Sequence, residues 1–237
     1  MPRTARPNIA FAGLTAAGKT THAKILAEQL GYEVVSATAL LLDILGSKAN
    51  PEKVWFTEYE TIEKAREDDR VDRELERRLG VLAESKDGLI LDSWAMAYIY
   101  EGPLIRLWIE SDQESRTRKC YVSQGQKKVL DLSECQQLIQ NKDHRVRSQF
   151  LRRLKFDLFT DMSRYDAVIE NTNLIAEPTD RCSRAGIKTF APVVHDVVRY
   201  LTHQALHTAS MESVQSLQAK YGAMVQRVNE KPWSFSP

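Results

Sequence analysis

No stretch of this 237-residue chain has enough consecutive apolar residues to cross a bilayer. Runs such as Ala37–Leu42 and Leu89–Leu91 fall far short of the roughly 20 residues that a membrane helix needs. An excess of either charge is missing too: 33 basic and 32 acidic residues leave a formal +1, which gives no long-range field toward nucleic acid or anionic lipid. Cysteine is sparse and odd in number. Cys120, Cys135 and Cys182 match neither zinc-ligand spacing nor a disulfide framework, and read as reduced thiols of a cytoplasmic protein. Met1–Pro7 lacks the apolar run and small-residue cleavage site of a signal peptide. A balanced chain of this length is expected to form one good-sized α/β domain, as a monomer or homodimer, with no nucleic-acid or membrane partner.

Short apolar runs at Asn8–Ala12, Glu33–Val35, Leu89–Asp92, Leu104–Ile109 and Ala167–Glu170 alternate with helical patterns, so the spacing predicts a parallel sheet covered on both faces. Helices are expected at Thr20–Leu30, over most of Thr57–Ser85, at 112–123 and at 133–160. After a loop containing Pro178 and Gly186, two more are expected near Val193–His207 and Met211–Val228. The stripe Val71, Leu75, Leu79, Leu82 marks the buried side of the densely charged helix. One domain over residues 1–209 and a C-terminal helix and tail over 210–237 are expected from this division.

Gly13-Leu-Thr-Ala-Ala-Gly18-Lys19-Thr20 fits Gly-x4-Gly-Lys-Ser/Thr in full, after an expected strand and at the head of an expected helix. Glycines let the loop wrap its N–H groups around a phosphate chain, and the helix N-terminus adds partial positive charge. The residues expected to bind the nucleotide are Gly13, Thr15, Ala16, Ala17, Gly18, Lys19, Thr20 and Thr21. Lys19 is placed to reach the β- and γ-phosphates of ATP, and the Thr20 hydroxyl to ligate Mg2+. Asp92 ends an apolar strand at the edge where α/β sheets bind ligands, suited to hold the metal or to take a proton. Of the basic residues on the next two helices (Arg116, Arg118 and Lys119; Arg145, Arg147, Arg152 and Arg153), Arg116 and Arg147 are the candidates to close over the transferring phosphoryl group. His22 reads as an accident of spacing, and no His, Cys and carboxylate cluster has metal-ligand spacing.

Four blocks resemble the cytidylate kinases, in particular the shorter archaeal-type branch of the nucleoside monophosphate kinases: Ile9–Lys24; Val71-Asp-Arg-Glu-Leu through Leu91-Asp-Ser; Arg116-Thr-Arg-Lys119; and Arg147–Phe159 running into Asp161-Met-Ser-Arg-Tyr-Asp-Ala-Val-Ile-Glu-Asn171. The resemblance implies a three-layer P-loop kinase fold. It also implies an acceptor-binding helical segment near 36–86, a lid near 112–156 and a pyrimidine monophosphate as acceptor, with a C-terminal helical extension added here. Ser36, Arg73, Asp92 and Trp94 are then the acceptor-side residues. Two arginines of the family pattern are missing: Leu41 and Trp94 stand in their places, and bidentate guanidinium contacts are not replaced by Leu or Trp. Arg66, Arg70 and Arg73 are the candidate substitutes.

Three functions stay open on this reading. One is phosphoryl transfer to a nucleoside monophosphate. A second is transfer to a hydroxyl of a nucleoside or other small metabolite, with Asp92 as base. The third is a nucleotide-dependent switch, using the apolar stretch Val193, Val194, Val197, Val198 and Leu201 as a partner surface.

Overall fold

The structure, a computed structural model, describes residues 6–126, 128–157, 159–206, 208 and 213–229. Its centre is a six-stranded sheet in the order β2-β3-β1-β4-β5-β6. The strands are β1 Ile9–Ala12, β2 Glu33–Ser36, β3 Leu89–Asp92, β4 Ile105–Glu110, β5 Ala167–Glu170 and β6 Val225–Val228. The first five run parallel and the sixth antiparallel to β5. Alternation along the strands sorts the layers. Ile9, Phe11, Ile105, Leu107, Ile109, Ala167 and Ile169 pack with the helices α1 Lys19–Leu30 and α9 Asp180–Ala205. On the other face Ala10, Leu89 and Leu91 meet α2 Ala37–Ile44 and α5 Asp69–Ser85, and Ala12, Trp108 and Val168 meet α8 Leu132–Leu154.

The remaining helices are α3 Val54–Thr57, α4 Tyr59–Ala65, α6 Met96–Ile99, α7 Gln113–Ser123 and α10 Val214–Tyr221. The charged stretch expected as mostly one helix breaks before Asp68, whose side chain accepts from the Arg70 N–H and starts α5 afresh. The expected loop around Gly186 is helical instead. Thr179 caps α9 thirteen residues earlier than the apolar periodicity suggested, and Gly186 sits where a Cβ would come within 2.4 Å of the Leu174 carbonyl oxygen. That glycine serves a close crossing of loop over helix, not a turn.

The last helix is shorter than expected. It stops at Tyr221, Gly222 takes φ +57°, and Val225–Val228 covers the open edge of β5. Val225 and Val228 are buried by that pairing, and the Asn229 N–H donates to the Asp166 carbonyl at 2.8 Å. The start of that expected helix at Met211, and the tail with Pro232 and Pro237, lie outside the described residues. The stretch Val193–Leu201, read as a partner surface under the switch alternative, is buried in the domain's own core. Among the described residues no helix is long and apolar enough to cross a membrane.

Candidate active site

β1 ends in the loop 13–18 because its backbone must turn beneath β4. A Cβ on Gly13 would lie 2.4 Å from the Ile109 carbonyl oxygen. Ala16 (φ +61°) and Gly18 (φ +101°) take left-handed backbone, and Gly18 caps α1. The Lys19 ammonium donates to the carbonyls of Gly13 (2.8 Å) and Leu14 (2.9 Å). Burial lowers its pKa to about 8, with Asp92 and Asp143 opposing the shift.

Parallel pairing sets Ser36 beside Asp92 at the carboxyl edge of the sheet. There the Thr20 hydroxyl donates to the Asp92 carboxylate at 2.5 Å. Ser36 accepts from the Ala39 N–H at 3.3 Å and so starts α2. Trp94 leans its ring toward Lys19, whose Nζ lies 5.1 Å from the ring centroid, and meets Phe159 edge-on.

A cavity of about 970 Å³ runs from this loop into the space under α8. Its wall includes Thr15, Ala16, Gly18, Lys19, Thr20, Thr21, Ser36, Asp92 and Trp94. Gly13 and Ala17 contribute backbone instead: the Ala17 carbonyl accepts from the buried Asn171 amide at 2.8 Å. Lys119 in turn donates to Asn171 (2.5 Å) and Ser111 (2.9 Å), and burial lowers its pKa to about 8. His22 also faces the cavity. It is buried edge-on against Phe190, with its pKa pushed down to about 4 by burial and the Lys119 charge.

Two of the expected residues stand elsewhere. Arg147 pairs with Asp157 on the exposed side of α8, because Lys155 in left-handed backbone folds the chain back after that helix. Arg73 points to solvent on α5. Arg116 is buried beside the loop, donating to the Thr15 carbonyl at 3.1 Å and to Asp143 at 2.5 Å.

Leu41 and Trp94 both form apolar wall. Of Arg66, Arg70 and Arg73 only Arg66 reaches the cavity. Arg66 is bonded to buried Asp72 (3.0 Å) and to Gln149 (3.2 Å), and Arg153, also on the wall, pairs with Glu76 at 2.7 Å. Sequence reasoning missed Lys142 and Asp143, neighbours on α8. Lys142 lies with its ammonium 3.3 Å from the Trp55 ring centroid. Among the described residues no carboxylate comes within ion-pairing distance of it. Burial, with the charges of Lys19 and Arg66, lowers its pKa to about 7.

Contacts between helices close this end. Arg145–Glu60 (3.6 Å), Arg152–Asp69 (2.7 Å), Arg153–Glu76 and the Gln149–Asp72 hydrogen bond tie α8 to α4 and α5. Lys53 donates to the carbonyls of Ser123 and Gln124 at the end of α7, a favourable place for a cation.

A family model described as the cytidylate kinase-like family matches residues 8–173, seven-tenths of the chain. The chain belongs to that family. It is an ATP-dependent phosphotransferase. The chain is similar to the cytidylate kinase of Natronomonas pharaonis, 25% identical over 185 residues, 78% of this chain and 91% of that one. It is also similar to the cytidylate kinase of Methanobrevibacter smithii, 31% identical over 126 residues, 53% of this chain and 68% of the relative. Among solved structures, a shikimate kinase from Bacteroides thetaiotaomicron aligns over 79% of this chain and 98% of its own, at 13% identity and TM-score 0.46. The family match ends just after β5, so α9, α10 and β6 lie beyond the matched residues.

Proposed function

We propose that the protein transfers the γ-phosphoryl group of ATP to a nucleoside monophosphate of the cytidine type or a modified pyrimidine. The observation that supports this reading is Lys142. It is a half-buried ammonium without a carboxylate partner, on the wall of the same cavity as Lys19, and it offers one unspent positive charge opposite the P-loop. A monophosphate supplies the matching anion, and Trp55 and Trp94 offer aromatic surface for a base.

On this reading the P-loop N–H groups and Lys19 cradle the donor phosphates. An ionised oxygen of the acceptor phosphate attacks the γ-phosphorus, the bond to the β-phosphate oxygen breaks, and nucleoside diphosphate and ADP leave. The Thr20 hydroxyl and Asp92 carboxylate are hard oxygen donors that fit magnesium. The described residues bring together no group of three or more His, Cys, Asp and Glu that could hold a metal ion, so magnesium would be held there together with the nucleotide. Magnesium, when bound, neutralises charge on the β- and γ-oxygens.

A second reading, transfer to a hydroxyl, draws on Leu41 and Trp94 and on the pairing of Arg66 and Arg153 with carboxylates. A panel of ribo- and deoxynucleoside monophosphates, free nucleosides and small hydroxyl metabolites, scored by ADP release from MgATP, separates the two. Turnover with CMP, dCMP or UMP supports the first reading. Turnover only with unphosphorylated acceptors replaces it by the second.

Lys142 makes its own prediction. Lys142→Ala should raise the acceptor KM by about tenfold or more and leave the KM for ATP within about threefold, the loss expected of one charged contact. With a pKa near 7 the free ammonium is lost as pH rises, so kcat/KM for the acceptor should fall on the alkaline side from about pH 7. In Lys142→Arg that limb should move up toward the Lys19 value near 8. An acceptor KM indifferent to both substitutions would remove Lys142 from the site.

A further inference from the structure

We propose that Asp143 is a positioning residue whose carboxylate clamps Arg116 to the P-loop, so that the free part of the Arg116 fork meets the transferring phosphoryl group only when both lid helices are docked. This rests on the phosphoryl-transfer reading above and adds to it the device that couples the lid to the loop.

The geometry is a closed ring of hydrogen bonds around one residue, Thr15. The Thr15 N–H donates to Asp143 Oδ1 at 3.0 Å, Arg116 Nη1 donates to Asp143 Oδ2 at 2.5 Å, and the same Nη1 donates to the Thr15 carbonyl at 3.1 Å. Three separate elements thus meet at Thr15: the P-loop, α7 through Arg116 and α8 through Asp143. Both charged side chains are largely shielded, with 7% and 13% of their surface exposed, so the pair is little screened by solvent.

Among the described residues only one nitrogen of the guanidinium, Nη1, has a partner. Arg116 Nε is buried and has no partner among the described residues. An arginine carries five donors in a fixed fork, and a buried donor left unpaired is costly. The unused edge is therefore suited to an anionic oxygen arriving at the loop. Both groups stand close enough to Lys19 to act on its charge, Asp143 favouring the ammonium and Arg116 opposing it. The ring is accordingly beside the phosphate-binding lysine.

Asp143 does not float free on α8. That helix is bound to α4 and α5 by Arg145–Glu60, Arg152–Asp69 and Arg153–Glu76 and by Gln149 on Asp72. Movement of α8 away from the acceptor side would carry the carboxylate off Thr15 and release Arg116. In this way a lid open on the acceptor side leaves the fork misplaced, and the donor is protected from water until the acceptor is enclosed.

The test compares Asp143→Asn, Asp143→Ala, Arg116→Ala and the Arg116→Ala/Asp143→Asn pair, using the acceptor that the panel identifies. Asp143→Asn keeps the size and one acceptor atom for Thr15 but loses the charge that holds Arg116. We expect kcat to drop by about thirtyfold or more in both Asp143 variants with the KM for ATP within about threefold. The double variant should be no more than about twofold slower than Arg116→Ala alone, because Asp143 works through that arginine.

A kcat within about threefold of wild type in Asp143→Asn would overturn the proposal. So would losses that multiply in the double variant. A readout independent of any acceptor is amide exchange at Thr15 in the wild-type protein. Slow exchange that becomes fast in Asp143→Asn supports the ring, and fast exchange in the wild type contradicts it whether or not the variants fold. Absence of transfer to every monophosphate would instead count against the acceptor assignment, leaving the Thr15 exchange result to judge the ring.

Discussion

Lys19→Ala is expected to cut kcat/KM by about a thousandfold or more, on the order of 4 kcal/mol of transition-state stabilisation, without lowering the melting temperature. The two halves of that expectation have one origin. The ammonium is buried against the carbonyls of Gly13 and Leu14, and burial holds its pKa near 8 against an ordinary 10.5. A lysine whose folded pKa lies below its unfolded value costs stability wherever both states are protonated. That cost is fully present below about pH 8 and fades as pH rises toward the unfolded value. Alanine removes the cost at neutral pH along with the charge that must meet the β- and γ-phosphates. Steady-state kinetics and a thermal melt at neutral pH check both halves. Near-wild-type activity would mean that the loop does not hold the donor. A large fall in melting temperature would mean that the two carbonyl contacts outweigh the cost of burial.

Asp92→Asn is the second large effect, about a hundredfold to a thousandfold in kcat, again with the fold kept. Asparagine preserves the volume and an oxygen for the Thr20 hydroxyl, 2.5 Å away in the wild type, but not the charge. The way the loss depends on pH discriminates between acceptor classes. An acceptor phosphate is already ionised above about pH 7, since its second pKa is near 6, and needs no base. The ratio of variant to wild-type kcat should then stay flat between about pH 6.5 and 9. If the ratio climbs about tenfold per pH unit, hydroxide is replacing a missing base, and the acceptor is a hydroxyl compound.

The parts of this molecule that local pattern determines were open to sequence reading. β1, the loop Gly13–Thr20 and α1 form one strand–turn–helix unit whose glycines and lysine lie close together in the sequence, and the apolar strand that Asp92 ends places that carboxylate. What went unread depends on neighbours distant in sequence. Gly186 looks like a loop residue until the Leu174 carbonyl is seen crossing it, and Val225–Val228 looks helical until β5 offers an open edge. Arg147 is, with Arg116, an expected phosphoryl-side arginine, yet a turn at Lys155 brings Asp157 back to pair with it. Nothing in the sequence sets Lys142 and Asp143 apart on a helix dense with charge. Periodicity gives a helix its apolar stripe, but cannot say which charges at the stripe's border face a cavity once α8 is docked. Arg66 and Arg153 face the cavity too, but the carboxylates of Asp72 and Glu76 hold them. On the proposed reading, with Leu41 and Trp94 in place of arginines, Lys142 is the cation on the cavity wall assigned to the acceptor's phosphate.

The most direct test of the central claim is a phosphorus NMR record of the purified protein with MgATP and CMP, following each phosphorus until the reaction stops. Phosphoryl transfer to the monophosphate predicts CDP and ADP growing in equal amounts, with no free phosphate above the uncatalysed rate. Free phosphate in step with ADP, or ATP left intact with CMP and every other nucleoside monophosphate, would contradict the claim.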